Sequence, residues 1–120
     1  MKIRYHTRKL EKSVESLSAI RKYYGDRAKK VALRLEQLSV ALRLEQLSVA
    51  LNLDAMRNVP AANCHALKAP RVGELAVDIS PNHRLIFIPD HNPLPRKEDG
   101  ALDWKLVTDI EITAIGEDYH

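Results

Sequence analysis

The chain has 120 residues, 45% of them apolar and 29% charged, which suits one globular domain with a single modest core and excludes a disordered chain. No apolar run approaches the roughly 20 residues of a membrane span, no apolar signal segment follows the basic N-terminus, and the lone cysteine, Cys64, excludes an internal disulfide and a cysteine-rich zinc site. Residues 1–60 carry 13 Lys and Arg against 6 Asp and Glu, whereas residues 61–120 carry 6 against 10. We therefore expect a cytoplasmic protein whose basic half binds nucleic acid or an acidic protein partner. The alternative is that these Lys and Arg side chains only cover the solvent-exposed faces of helices.

The first half of the chain predicts a strand followed by two helices. Polar and apolar residues alternate from Lys2 to His6, as in a short strand. Thr7 suits the N-cap of a first helix, whose apolar residues recur at spacings of three and four up to Tyr24. Gly25 would end this helix and Asp26 would cap the second, so the short link indicates an antiparallel helical hairpin.

The second half of the chain predicts four strands. They correspond to Cys64–Lys68, Glu74–Ile79, Arg84–Ile88 and Val107–Ile115, separated by turn residues at 80–83 and by a proline-containing loop at 89–100. A strand, two helices and four further strands indicate a single α+β domain over residues 1–120, with helices packed on a mostly antiparallel sheet.

The second predicted helix contains a tandem repeat. The nonapeptide VALRLEQLS occupies residues 31–39 and recurs without change at residues 40–48. Nine residues rotate a helix by about 900°, half a turn away from register, so two apolar stripes arise on opposite sides of the helix. One stripe contains Val31, Leu35, Leu38, Leu42 and Val49, and the other contains Leu33, Val40, Leu44, Leu47 and Leu51.

A surface helix ordinarily has one apolar stripe, which packs on the core, so the second stripe of this helix must pack against another surface to leave water. We hypothesise that it drives self-association, either as a homodimer or through exchange of the helical hairpin between protomers. The alternative is that one copy of the repeat bulges or frays as a loop and leaves the core unchanged.

Six short segments follow one another in a characteristic order. NCHALK at 63–68 contains a His-x-Leu-Lys pattern, GELAVD at 73–78 and NHRLIF at 82–87 read as the next two strands, PRKEDG at 95–100 and LDW at 102–104 form a long loop, and EDYH at 117–120 forms a tail. This ordered set resembles the RelE/ParE toxin superfamily, and within it the HigB-like killer-protein branch. The resemblance extends over nearly the whole chain once one copy of the repeat is discounted.

The resemblance implies the toxin of a type II toxin–antitoxin system, an endoribonuclease that cuts messenger RNA on the ribosome. We expect no metal or other cofactor, because the sequence shows no recognisable pattern of metal ligands. Its implied partners are a HigA-like helix-turn-helix antitoxin, the ribosome and mRNA, with no membrane. The implied catalytic residues are His65, Arg84, Asp118, Tyr119 and His120, and the implied RNA-binding residues are Lys68 and Arg71.

These residue types suit attack of a ribose 2′-hydroxyl on the neighbouring phosphate. The reaction needs a base, an acid for the leaving 5′-oxygen, and positive charge for the phosphorane-like transition state. His65 and His120 suit the two proton transfers because the reference pKa of histidine is about 6.5. Arg84 and Lys68 can supply charge to phosphate oxygens, and Tyr119 can stack on a base.

Other interpretations stay open at this point. The candidates on the strands could be ordinary salt-bridged or solvated residues, and a chain terminus is often disordered. A ParE-like gyrase inhibitor would share the fold without the catalytic set, and a non-catalytic module would only bind nucleic acid or an antitoxin.

Asp118 would orient a histidine, whereas His6, His83 and His91 have no constellation around them and are expected to be structural or solvated. The duplicated helix belongs to the elements that the resemblance uses for packing and antitoxin contact, so it could impair activity.

Overall fold

A computed structural model describes residues 1–20 and 28–118, without the side chains of residues 15–20, 28–35, 117 and 118. Seven helices and strands make up the described chain: β1 (Lys2–Tyr5), α1 (Arg8–Ile20), α2 (Ala28–Val49), β2 (His65–Ala66), β3 (Leu75–Ser80), β4 (His83–Pro89) and β5 (Asp109–Asp118). Short 3-10 turns lie at Leu53–Asn58, Pro60–Ala62 and Trp104–Leu106.

The five strands form one mixed sheet in the order β1-β5-β4-β3-β2. The first strand pairs in parallel with the last, and the other neighbours are antiparallel. The predicted α+β class is confirmed at this level. The edge strand β2 is shorter than the predicted Cys64–Lys68, and β5 ends later than the predicted Ile115.

The N-terminal charge helps to join β1 to α2. The amino group of Met1 donates hydrogen bonds to the carbonyls of Leu47 and Ser48, at 3.1 and 2.7 Å, and to that of Ala50. Leu47 and Ser48 belong to the last turn of α2, whose carbonyls lack partners within the helix and where the helix dipole favours a positive charge.

The helix boundaries agree with the sequence signals where the structure describes them. The hydroxyl of Thr7 accepts a hydrogen bond from the Leu10 N–H at 3.2 Å, which confirms the predicted cap of α1. The predicted helix end at Gly25 and cap at Asp26 lie outside the described residues. Within the described ranges, neither helix combines the length and apolar character that a membrane span requires.

Helix α2 runs without interruption through both copies of the repeat, so the alternative in which one copy bulges as a loop is wrong. One predicted stripe faces the sheet: Val40, Leu44 and Leu47 are buried in the same cluster as Val77 and Phe87. Leu51 departs from that prediction, because the helix ends at Val49 and its side chain is 86% exposed.

The other stripe is exposed along the second half of α2. Leu38, Leu42 and Val49 are 36%, 47% and 73% exposed, while the side chains at positions 31, 33 and 35 lie outside the described residues. The two copies therefore have the same sequence but different surroundings, as the half-turn offset predicts. The self-association of this stripe stays a prediction.

Candidate functional site

Alternate residues of the central strands point away from the helices. On β3, Leu75, Val77 and Ile79 join the hydrophobic core, so Ala76 and Asp78 lie on the opposite face of the sheet. We call this second face the far face and define it by His65, Ala76, Asp78, Arg84 and Ile86.

The strand register brings two predicted catalytic residues onto the far face. His65 on β2 is opposite Ala76, and Arg84 on β4 is opposite Asp78. Residues directly opposite in an antiparallel pair share a face. His65 and Arg84 are thus two strands and two residues apart, which corresponds to roughly 12 Å between their Cα atoms.

A bulge in β5 sets the register of its last residues against β4. Ile115 is opposite Leu85 and Glu117 is opposite Arg84, so Gly116 is an extra residue, and its φ of +81° is a conformation that glycine adopts readily. The backbone of Asp118 then lies opposite His83 at the end of β4. The side chain of Asp118, and the whole of Tyr119 and His120, fall outside the described residues, so their predicted roles stay predictions.

His65 is held by one of its two ring nitrogens. Its Nδ1 lies 2.6 Å from the carbonyl oxygen of Asn63. A carbonyl can only accept, so Nδ1 carries the hydrogen of this bond and the neutral ring has its lone pair on Nε2. In the described part of the chain Nε2 makes no hydrogen bond, and the ring is half-buried. This tautomer leaves Nε2 able to accept a proton from a bound molecule.

The surroundings of His65 include two further residues, Asn63 and Asp78, that the sequence analysis did not name as site residues. The amide of Asn63 donates to a carboxylate oxygen of Asp78 at 3.2 Å, and the main-chain carbonyl of Asp78 accepts from Nε of Arg43 at 2.7 Å. The alternation of Glu74–Ile79 already placed Asp78 on the polar side of its strand, and that signal could have identified it. The contact with Asn63 depends on a loop conformation that no local pattern indicated.

The two predicted RNA-binding residues lie in or next to the connection between β2 and β3. Lys68 is exposed. Nε and Nη2 of Arg71 donate to the two carboxylate oxygens of Glu74 at 2.8 and 3.0 Å. A phosphate would therefore have to replace this carboxylate before it could use the same guanidinium fork.

The other described histidines have structural contacts. Nδ1 of His83 lies 2.8 Å from a carboxylate oxygen of Glu36, and Nδ1 of His6 lies 3.5 Å from one of Glu111. Nε2 of His91 accepts two backbone N–H groups at the start of β5, at 3.1 and 3.3 Å. These contacts agree with the structural interpretation of the three residues.

Cys64 precedes His65 in the chain but does not have the properties of a nucleophile. Burial raises the pKa of its thiol to about 12, with Arg57 opposing the shift, so the thiol is protonated at neutral pH. The pair Cys64–His65 therefore does not form a thiolate–imidazolium couple.

Neither a metal site nor a relative identifies the chain. Among the described residues, no group of three His, Cys, Asp or Glu is arranged to hold a metal ion. No protein-family model matches the sequence, and comparison with the curated proteins and with the solved structures finds no match.

Proposed function

We propose that this chain is an endoribonuclease that cuts messenger RNA on the ribosome, acting as the toxin of a type II toxin–antitoxin system. The observation that supports it best is the state of His65, whose Nδ1 is held by the Asn63 carbonyl. Its Nε2 is thereby left to accept a proton on the same face as Arg84, whose strand β4 pairs with β5, the strand that precedes the tail. The sequence resemblance to HigB-like toxins supports the same reaction.

In the proposed reaction His65 is the base. Its Nε2 takes the proton of a ribose 2′-hydroxyl, the 2′-oxygen bonds to the neighbouring phosphorus, and the bond from phosphorus to the 5′-oxygen breaks. His120 donates a proton to that leaving oxygen, so the products are a 2′,3′-cyclic phosphate and a 5′-hydroxyl. The guanidinium of Arg84 stabilises the extra negative charge on the phosphorane-like transition state.

The remaining candidates bind and orient in this proposal. Tyr119 stacks on a base next to the cleaved bond, and Asp118 orients His120. Lys68 attracts the phosphate backbone from its exposed position beside β2. Arg71 contributes only when RNA phosphate displaces Glu74.

The partners are part of the same proposal. A helix-turn-helix antitoxin would neutralise the toxin, and the basic N-terminal half would favour contact with ribosomal RNA. The repeat extends α2 by roughly 13 Å, and we propose that this extension lowers activity by hindering entry into the ribosome. A variant lacking residues 31–39 keeps Arg43 and its contacts with the loop, so it should cut faster than the full chain if this explanation is right.

Primer extension on a message under translation tests the proposal. Purified protein should produce cuts only when ribosomes are present. These cuts should disappear in His65→Ala and in Arg84→Gln and persist in the control Arg96→Gln, whose side chain donates to the carbonyl of Gly100 in its own loop. Gyrase-dependent DNA damage without RNA cuts would favour the ParE-like alternative. Ribosome or antitoxin binding without any cut would favour a non-catalytic module.

A further inference from the structure

Asn63 occupies an unusual backbone position next to His65. It caps the 3-10 turn Pro60–Ala62, with φ 46° and ψ 51°, and is the one non-glycine residue with a positive φ in the described part of the chain. Its N–H donates to the carbonyl of Pro60 at 3.0 Å. Asparagine is among the few residues that tolerate this left-handed conformation.

The conformation turns the two polar ends of Asn63 toward different partners. The main-chain carbonyl of Asn63 accepts from Nδ1 of His65 at 2.6 Å, and the side-chain amide of Asn63 donates to Oδ2 of Asp78 at 3.2 Å. Asp78 belongs to β3, so this hydrogen bond links the loop at Asn63 to a strand of the sheet. The main-chain carbonyl of Asn63, which holds His65, therefore belongs to a residue whose side chain is itself bound to Asp78 on β3.

The buried guanidinium of Arg43 on α2 is hydrogen-bonded to the same loop, residues 60–63. Arg43 is 9% exposed and donates through Nε to the Asp78 carbonyl at 2.7 Å and through Nη2 to the Ala61 carbonyl at 3.0 Å. One side chain of α2 thus joins the loop before Asn63 to the end of β3. Hydrogen bonds to a charged group are stronger than neutral ones, which favours a single arrangement of these three elements.

We propose that Asn63 and Asp78 are positioning residues that fix the Nδ1–H tautomer of His65 and aim its Nε2 across the far face. The role of this Nε2 in RNA cleavage rests on the function proposed above, whereas the control of the tautomer does not. A carbonyl aimed at Nδ1 stabilises the ring form that has its hydrogen there. Without the Asp78 contact, the carbonyl loses its fixed direction and the ring can exchange to the Nε2–H form.

Long-range ¹H–¹⁵N NMR of the histidine rings tests this directly at a pH where His65 is neutral, with its signals assigned from His65→Ala. In the wild-type chain Nδ1 should carry the hydrogen. Asn63→Ala and Asp78→Ala should shift the ratio toward the Nε2–H form. Asp78→Asn keeps an oxygen that can accept from the Asn63 amide and should retain the wild-type ratio, as should the control Asn82→Ala in the turn between β3 and β4.

Thermal unfolding of each variant separates repositioning from loss of fold. Should Asn63→Ala fail to fold, Asn63→Gly carries the same expectation, because glycine keeps the left-handed backbone and lacks the amide. A wild-type Nε2–H tautomer, or an unchanged ratio in folded variants that lack the contact, would overturn the proposal.

An RNA cleavage assay on the same variants separates this inference from the proposed function. A general base typically raises the rate of a reaction 10²–10⁴-fold. Asn63→Ala should lose part of this factor and cut RNA about 10-fold more slowly, whereas Asp78→Asn should cut at a rate close to that of the wild type. Tautomer shifts in a protein that never cuts RNA would support the positioning role and overturn the nuclease. Normal cleavage with unchanged tautomers in Asn63→Ala would support the nuclease and overturn the positioning role.

Discussion

The two copies of the repeat provide a matched test of which half of α2 packs on the sheet. Leu38 and Leu47 are the same residue of the nonapeptide, yet Leu38 is 36% exposed and Leu47 is fully buried. Replacing each by alanine changes helix propensity equally and removes the same atoms. Any difference in the free energy of unfolding therefore reports their different surroundings.

The structure sets the size of that difference. Leu47→Ala loses about 0.8 kcal/mol for each buried methylene and leaves a cavity in the core, for a total of about 3–4 kcal/mol. At position 38 solvent can fill the space, so only the partial burial is lost, about 1–1.5 kcal/mol. For a chain of this size the gap of about 2 kcal/mol corresponds to a difference of about 8 °C in Tm.

Urea unfolding monitored by circular dichroism measures both variants, at two protein concentrations so that self-association is visible. The valine pair offers a second comparison, because Val40 is 5% exposed and Val49 is 73% exposed. Equal losses at positions 38 and 47, or a larger loss at 38, would mean that Leu38 is packed at least as closely as Leu47 and that the assignment of the stripes is wrong.

Three further predictions concern α2 and Cys64. In the described part of the chain the side-chain oxygen of Gln37 is buried without a hydrogen-bond partner, whereas that of Gln46 accepts from Arg43 at 3.0 Å. Gln37→Leu should therefore raise the free energy of unfolding by about 1 kcal/mol and Gln46→Leu should lower it by a similar amount, and urea unfolding with the same sign for both would contradict this. Because the pKa of the Cys64 thiol is about 12, alkylation by iodoacetamide at pH 8 should be about 10³-fold slower in the native protein than in denaturant, where the thiol has an ordinary pKa. Mass spectrometry measures both rates, and similar rates would show that the thiol is not protected. If the exposed stripe mediates self-association, light scattering at micromolar concentration should give a mass above 13.6 kDa that Leu42→Glu reduces to the monomer, whereas a monomeric wild-type chain would contradict it.

Local patterns were sufficient where one side of an element faces the core. The alternation at Glu74–Ile79 corresponds to β3, whose apolar residues are buried and whose Asp78 lies on the other face. The Thr7 cap preceded α1 as expected. The half-turn offset of the repeat predicted two stripes with different surroundings, because a rotation of about 100° per residue depends only on helix geometry.

Features set by long-range contacts could not be read in this way. The repeat offers two equivalent apolar stripes, and only packing against β3 decides that Val40 and Leu47 belong to the core. The left-handed Asn63 follows from the meeting of a 3-10 turn with a strand carboxylate. The bulge at Gly116 depends on the register between β4 and β5, which places the backbone of Asp118 opposite His83.

We propose above that the far face cuts RNA by attack of a 2′-hydroxyl, with His65 as the base. The most direct test uses a translated message in which the single nucleotide before the mapped cut carries 2′-deoxyribose. Cleavage at that bond should vanish, while the all-ribose message should be cut to give a 2′,3′-cyclic phosphate. Equal cleavage of both messages, or no cleavage of the all-ribose message by folded protein on ribosomes, would contradict this mechanism.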